Sequence, residues 1–148
     1  MYKHILIATD GSELAKKAET TGLALAKKLG AKATAVTVTE PWDALSMAAL
    51  AERNIPNPVA DYDENVAASA NRILWGVTET AKKMEVSCTT AHVRDRYPTD
   101  GIIEAAKERG CDLIVMASHG RRGISRMLLG SQTTKVVTLS PVPVLVCR

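Results

Sequence analysis

The chain has 148 residues, of which 46% are hydrophobic and only 3% aromatic, with no phenylalanine at all. This predicts one domain, residues 1–148, with a core of small aliphatic side chains, and it argues against the aromatic platforms on which single-stranded nucleic acids stack. The formal net charge of +3 is spread too evenly for a nucleic-acid surface, so we do not expect nucleic acid as a partner.

The first third of the chain predicts a strand, a helix and a second strand. Residues 3–9 predict a strand, because residues 4–8 form a continuous apolar-rich run that is typical of a strand buried on both faces. A helix follows from the N-cap Ser12 to the C-cap Gly30, and residues 32–39 are rich in β-branched side chains. The buried face of this helix is predicted to carry Leu14, Ala18, Leu25 and Leu29.

Segment 41–58 has the weakest pattern in the chain. Three prolines bound it, and between them residues 44–53 predict at most one or two helical turns. Long segments of this kind often carry function, so we hypothesise that it covers a site.

The remaining elements alternate regularly between helix and strand. A long amphipathic helix over 59–84 gives the clearest periodicity, and Thr99 is the predicted N-cap of a later helix that buries Ile102, Ile103 and Ala106 and ends at Gly110. The other predicted elements are strands at 86–93, 112–117 and 142–147 and helices at 100–109 and 131–139.

This alternation predicts the fold class. Repeated strand–helix–strand units have right-handed crossovers, so the strands form a parallel sheet with helices on both faces. The result is a doubly wound, Rossmann-like α/β domain with five strands. In such sheets a ligand binds beyond the carboxyl ends of the strands, where the strand order reverses.

Asp10 directly follows the first strand and is the first candidate site residue. A carboxylate at the carboxyl end of a central strand can accept hydrogen bonds from ribose hydroxyls. The sequence Asp10-Gly11 is equally typical of a tight turn, so both interpretations stay open on the sequence alone.

The stretch 117–131 is the second candidate region. It leaves the fourth strand, passes through a loop that contains glycines and the arginines Arg121, Arg122 and Arg126, and reaches a helix start at Gly130-Ser131. Such a loop suits an anion, because backbone N–H groups and the helix dipole face it and glycines allow close approach. Ordinary turns, an ordinary N-cap at Ser131 and a merely solvated basic loop would have the same sequence.

This stretch resembles the nucleotide-binding signature of the universal stress protein family, which runs Gly, two residues, Gly, nine residues, then Gly-Ser or Gly-Thr. Gly120 is the second glycine, and nine residues separate it from Gly130-Ser131. Ala117 stands where the first glycine is expected, and it is harmless only if residue 117 keeps strand-like angles. The resemblance extends to Ile5–Ser12 and Pro143–Val146, and so to nearly the whole chain.

The resemblance implies the strand order 3-2-1-4-5 and a stress-response regulator that binds ATP, or AMP or ADP, with Mg²⁺ as a further expectation. It implies a homodimer that pairs through its last strand. The resemblance is compatible with slow ATP hydrolysis or self-phosphorylation on serine or threonine, but the sequence supplies no evident base, and we expect no enzyme. Carried over by position, the nucleotide-binding residues are Asp10, Val38 (through its backbone), Ala117, His119, Gly120, Gly130 and Ser131.

Three other classes of function stay open. The same fold without a nucleotide would act as a dimeric interaction module, and Ala117 is the feature that favours it. A nucleotide hydrolase or transferase lacks support, because the chain has no P-loop, no dinucleotide-binding glycine motif after the first strand and no nucleophile elbow. A flavodoxin-like electron carrier would need an early phosphate loop, which is also missing.

The sequence also predicts a compartment. Only a short apolar run precedes Asp10, and no stretch approaches the roughly 18 apolar residues that span a bilayer, so we expect a cytoplasmic protein with no membrane partner. Cys88, Cys111 and Cys147 have no metal-binding or redox spacing. We therefore expect buried, reduced thiols and no metal site, and structural roles for His4 and His92.

Overall fold

A computed structural model describes residues 1–121 and 128–148. In these residues strands and helices alternate, except where two helices occur in succession between the second and third strands. In chain order they are β1 His4–Ala8, α1 Glu13–Leu29, β2 Lys32–Val38, α2 Ala44–Glu52, α3 Pro58–Lys83, β3 Cys88–Val93, α4 Pro98–Glu108, β4 Leu113–Ala117, α5 Ser131–Leu139 and β5 Val144–Cys147.

The five strands form one parallel sheet in the order β3-β2-β1-β4-β5, which confirms the expected topology. Every residue of β1 and of β4 is buried, because helices cover both faces of the sheet. This explains why both strands are apolar without alternation. The chain moves from β1 outwards to one side and later returns to the other, so the order reverses between β1 and β4.

Two core clusters lie on opposite faces of the sheet. The first contains Ile5, Ile7 and Val115 together with residues of α1 and α3, such as Leu23 and Val77. The second contains Leu6, Val36 and Ile114 with Ile102 of α4 and Val136 of α5. Neighbouring strand residues therefore belong to different clusters, as the alternation of side chains along a strand requires.

The predicted buried face of α1 is partly wrong. Leu14, Leu25 and Leu29 are only half-buried at the edge of the core, because the helix turns a narrower stripe of mostly small side chains towards the sheet. At Gly22 an added Cβ would lie 2.8 Å from Ile7, so the helix approaches β1 too closely for a large side chain there. The buried residues of α1 are Ala15, Ala18, Glu19, Gly22, Leu23 and Ala26.

The predicted helix ends are right at α1 and wrong at the start of α4. The Ser12 side chain accepts a hydrogen bond from the Ala15 N–H, and Gly30 is the left-handed C-cap. Thr99 does not cap α4, which begins at Pro98 with Tyr97 as its N-cap, because proline is preorganised for a first helical position. The Thr99 hydroxyl instead donates to Gln132 at 2.6 Å and ties α4 to α5.

Segment 41–58 contains more helix than expected. Helix α2 has nine residues, and the Asp43 carboxylate caps it by accepting the Ser46 N–H at 2.9 Å. No residue of α2 is buried, and Leu45 is 81% exposed. The Tyr62 hydroxyl of α3 donates to the Glu40 carbonyl at 2.8 Å and holds the start of the segment. A covering role for this segment stays a prediction.

The cysteines and histidines agree only in part with their expected roles. All three cysteines are free; Cys111 is buried, whereas Cys88 and Cys147 are half-buried. Burial raises the pKa of the Cys111 thiol to about 11, which keeps it protonated at neutral pH. His4 and His92 each bond a threonine hydroxyl through Nε2, at 2.8 and 2.9 Å, as structural residues do.

Two searches of the described residues give negative findings. None of the helices there has both the length and the apolar character needed to cross a membrane. No group of three or more histidine, cysteine, aspartate or glutamate side chains is arranged around a common point that could hold a metal ion.

Candidate functional site

The sheet brings the two candidate regions to the same edge. In a parallel sheet all strands end on one side, so the residues that follow β1, β2 and β4 share that edge. Asp10 follows β1, Val38 ends β2, and residues 118–121 follow β4. Because β1 and β4 are neighbours and the strand order reverses between them, we call the space beyond their carboxyl ends the crevice.

Asp10 links the two loops that border the crevice. One carboxylate oxygen, Oδ1, accepts the Ser12 N–H at 3.0 Å, within its own turn. The other, Oδ2, accepts the Arg121 N–H at 2.8 Å, across the crevice. The turn interpretation of Asp10 is therefore confirmed. Its carboxylate also faces the loop that follows β4, and a contact with ribose hydroxyls stays a prediction.

Gly120 and Gly11 are both required by close approach. A Cβ at Gly120 would lie 2.6 Å from the Asp10 Oδ2, so no side chain fits between them. Gly11 has a φ of 75°, which favours glycine. A Cβ added at Gly11 would lie 3.3 Å from the Arg121 guanidinium. Arg121 therefore brings a positive charge to the turn. Arg122 and Arg126, the other two arginines of this loop, lie outside the described residues, as does its further glycine, Gly123.

Helix α5 points its N-terminus at the crevice. Gly130 is its N-cap and Ser131, which is exposed, is its first residue; among the described residues no side chain caps this end. The Gly130 N–H donates to the Ser118 carbonyl at 2.7 Å, and a Cβ at Gly130 would meet the His119 Cα at 3.2 Å. The first-turn N–H groups of α5 are thus the kind that bind anions.

Ala117 keeps strand-like angles, as the tolerant interpretation of this position requires. It pairs with Cys147 as the last residue of β4, and its φ is not in the positive range that favours glycine. Its methyl group belongs to the core cluster beneath α1, and its carbonyl accepts the Thr133 hydroxyl at 3.0 Å. Alanine at this position therefore adds to the core without straining the backbone.

Val38 lies at the crevice through its backbone, not through its side chain. The side chain packs on α4, where a Cβ at Gly101 would be only 2.7 Å from it. The Val36 carbonyl accepts the Thr9 N–H at 2.9 Å. Two residues further along the same strand, the Val38 N–H and carbonyl face the same way, beyond the end of β1. His119 is half-buried on the other side, with Nδ1 3.3 Å from the Ser118 hydroxyl.

Comparison with known proteins gives this arrangement its context. The model of the universal stress protein family matches residues 1–148. The chain belongs to this family. It is 32% identical over 149 residues to universal stress protein YxiE of Bacillus subtilis, with both chains covered in full. A universal stress protein of Thermus aquaticus is 31% identical over 150 residues, again with full coverage of both chains.

Solved structures of universal stress proteins share the fold. The structure of protein MJ0577 superposes with a TM-score of 0.76 at 25% identity, covering 99% of this chain and 96% of that one. A universal stress protein in complex with cAMP has a TM-score of 0.69 at 24% identity, covering 99% and 97%. One from Archaeoglobus fulgidus in complex with dAMP has a TM-score of 0.61 at 18% identity, covering 99% and 98%.

This universal stress protein also has a buried polar pair behind the crevice that the sequence did not reveal. The Thr9 hydroxyl donates to the Glu19 carboxylate and accepts the Gly11 N–H at 3.1 Å. Glu19 is only 8% exposed, and burial raises the pKa of its carboxyl group, with Asp10 adding to the rise and the Thr9 hydrogen bond and Lys16 opposing it. The one sequence feature that indicates this pair is the position of Glu19 directly after Ala18, at the edge of the predicted apolar face of α1.

The raised pKa of Glu19 predicts a pH dependence of stability that Glu19→Gln removes. Because the folded state binds this proton more tightly than the unfolded chain, its contribution is complete below the unfolded pKa of about 4.3 and is lost as pH rises through the folded pKa. We expect Glu19→Gln to gain stability relative to the parent as the pH rises above the unfolded pKa of this group. Urea denaturation at several pH values measures this, and a constant difference would contradict it.

Proposed function

We propose that this protein binds an adenine nucleotide, ATP or a related mono- or diphosphate, in the crevice between β1 and β4 and acts in the cytoplasm as a nucleotide-dependent regulator of a stress response. The observation that carries the proposal is the bridge from Asp10 to the Arg121 N–H at 2.8 Å, beside the N-terminus of α5. An acceptor for ribose hydroxyls and donors for phosphate thereby border one space.

In this proposal each end of the ligand meets the group that its chemistry requires. The carboxylate of Asp10 accepts from the ribose, and the backbone of Val38 bonds the edge of the adenine. Phosphate oxygens accept from the first-turn N–H groups of α5, beginning with Ser131. Gly130, whose own N–H donates to the Ser118 carbonyl, leaves room for the phosphates because it has no side chain, and His119 and Gly120 form the near wall. Ala117 lies beneath the ligand. The complexes of other family members with cAMP and dAMP support an adenine ligand for this fold.

We propose binding, not turnover, as the main activity. A hydrolase needs a group that activates water beside the reacting phosphate. In this proposal Asp10 contacts the ribose, whereas the phosphates lie at the N-terminus of α5. Mg²⁺ would enter with the triphosphate and be held mainly by its oxygens, as is usual for this ion.

Calorimetric titration of the nucleotide-stripped protein tests the proposal. ATP, ADP, AMP and GTP are titrated separately, with and without Mg²⁺. We expect micromolar dissociation constants for the adenine nucleotides and at least tenfold weaker binding of GTP, because a backbone contact to adenine distinguishes the two base edges. The absence of binding by all four ligands would favour the alternative of a ligand-free interaction module.

We further propose a homodimer that forms through β5. This strand is at one edge of the sheet, with Leu145 38% exposed and the neighbouring Val144 and Val146 half-buried. An open apolar edge strand tends to pair with another chain. A two-fold axis beside β5 would pair this strand with the β5 of a second protomer and so cover the β5 edge of both.

Leu145→Lys is expected to weaken this dimer at least a hundredfold, because each protomer would lose a leucine that the interface buries and two lysines would lie close together across the pair. Sedimentation velocity over a range of concentrations measures the effect. The matched control is Leu45→Lys on α2, where the leucine is 81% exposed and distant in sequence from β5. A parent protein that is monomeric at all concentrations would contradict the proposal, as would a dimer that Leu145→Lys leaves intact.

A further inference from the structure

A chain of hydrogen bonds runs from the interior to the turn that carries Asp10. Glu19, on the buried side of α1, accepts the Thr9 hydroxyl, and that hydroxyl accepts the Gly11 N–H at 3.1 Å. The next residue, Ser12, donates its N–H to the Asp10 Oδ1 at 3.0 Å. The chain ends at the Arg121 N–H, which the Asp10 Oδ2 accepts at 2.8 Å.

The chemistry of the hydroxyl group explains why Glu19 matters to the turn. A threonine hydroxyl has one hydrogen to donate and two lone pairs that accept. When Glu19 takes the hydrogen, a lone pair of Thr9 is left to accept from Gly11. Without an acceptor at residue 19, the Thr9 hydroxyl is free to rotate and its hydrogen has no fixed direction. The lone pair that accepts the Gly11 N–H is then no longer held in place, and this hydrogen bond weakens.

The turn is the part of the crevice that most needs such support. Gly11 has a φ of 75°, a conformation that Gly leaves readily, since glycine restricts the backbone least. Both hydrogen bonds from the turn's own N–H groups are to side chains, Thr9 and Asp10. Loss of the hydrogen bond from the Gly11 N–H to the Thr9 hydroxyl therefore loosens the backbone that determines where the Asp10 carboxylate points.

Stability alone does not account for a carboxylate at position 19. Its burial raises its pKa, which means that the ionised form is disfavoured in the fold. Glu19 lines a cavity of about 440 Å³ together with Lys16 of its own helix and Arg72 of α3. Two further charged groups are near: Asp10 on the turn, and Arg121 beyond Gly11. A well-packed apolar side chain is often as stable or more stable than a buried charge.

We infer that Glu19 is a positioning residue for the crevice: through the Thr9 hydroxyl it fixes the Gly11 N–H and so aims the Asp10 carboxylate at the ribose. This inference rests on the proposed nucleotide function for its effect on binding. The position of the turn itself can be measured without any nucleotide.

The test compares Glu19→Met, which removes the acceptor, with Glu19→Gln, which keeps one. We expect Glu19→Met to be at least as stable as the parent yet to bind ATP about tenfold more weakly, whereas Glu19→Gln stays within about twofold of the parent. Thr9→Val should weaken binding as much as Glu19→Met, and the double variant no further, since both act through one contact. Thr20→Val is the control, because Thr20 lies on the same helix and its hydroxyl donates to the Lys16 carbonyl at 3.0 Å.

Amide hydrogen exchange at Gly11 provides the second measurement, made on the protein without nucleotide. We expect exchange at least tenfold faster in Glu19→Met and in Thr9→Val, and unchanged in Glu19→Gln and in Thr20→Val. If the parent binds no nucleotide, the proposed function fails while the exchange pattern still tests the positioning. If the exchange rates and the affinities of Glu19→Met both match the parent, the positioning role of Glu19 is overturned.

Discussion

Replacing Gly130 with valine is expected to lower the affinity for ATP at least a hundredfold while the protein stays folded. A Cβ at this position would be 3.2 Å from the His119 Cα and 3.4 Å from the Ser118 carbonyl oxygen, and these are backbone atoms that cannot easily move. The two further methyl groups of valine would extend over the first turn of α5, where the proposed phosphates bind. The φ of −68° is accessible to valine, so the backbone itself is not strained.

A graded series separates this steric effect from general destabilisation. Gly130→Ala adds only the Cβ, so we expect an intermediate loss of affinity, about tenfold. Gly76→Ala on α3 is the control, because a Cβ there meets no atom within 4 Å among the described residues, and alanine favours a helix over glycine. Calorimetric titration gives the affinities and thermal denaturation the stabilities. If Gly130→Val binds ATP with the parent's affinity, the N-terminus of α5 does not take part in ATP binding.

The fold was predictable because its main signals are local. Continuous apolar runs identified β1 and β4, Ser12 and Gly30 bounded α1, and the alternation of elements implied a parallel sheet. The strand order was not worked out from these patterns but was implied by the family resemblance. Errors arose where packing overrides pattern: leucines indicated the wrong stripe of α1, because the helix lies so close to β1 that Gly22 and alanines face the sheet.

The candidate site was predictable only in part. Asp10 was proposed from its position after the first strand, and Gly120 and Gly130 from motif spacing. The structure brings Asp10 against Gly120 and places Gly130 beside His119. Glu19 and Thr9 were missed, because a charged residue near a helix face looks exposed in a sequence and its partner is set by the fold. Thr99 was misassigned for the same reason, since its hydroxyl bonds Gln132 of a helix far along the chain.

Asp10→Ala is expected to lower the affinity for adenosine and for ATP by a similar factor, at least thirtyfold. The variant removes a charged acceptor from the proposed ribose contact, and hydrogen bonds to charged groups are worth about 1.5–3 kcal/mol each. It also removes two acceptors of backbone N–H groups, so a loss of stability would accompany it and could be mistaken for the cause.

Asp112→Ala distinguishes these two effects, because Asp112 has the same structural task at the opposite edge of the sheet. Its carboxylate accepts the Lys3 and His4 N–H groups at 2.8 and 3.0 Å. We expect both variants to lose stability to a comparable degree in urea denaturation but only Asp10→Ala to lose nucleotide. Gly130→Val should in turn reduce ATP binding far more than adenosine binding. Equal effects of Asp10→Ala and Asp112→Ala on affinity would mean that Asp10 supports the fold and not the ligand.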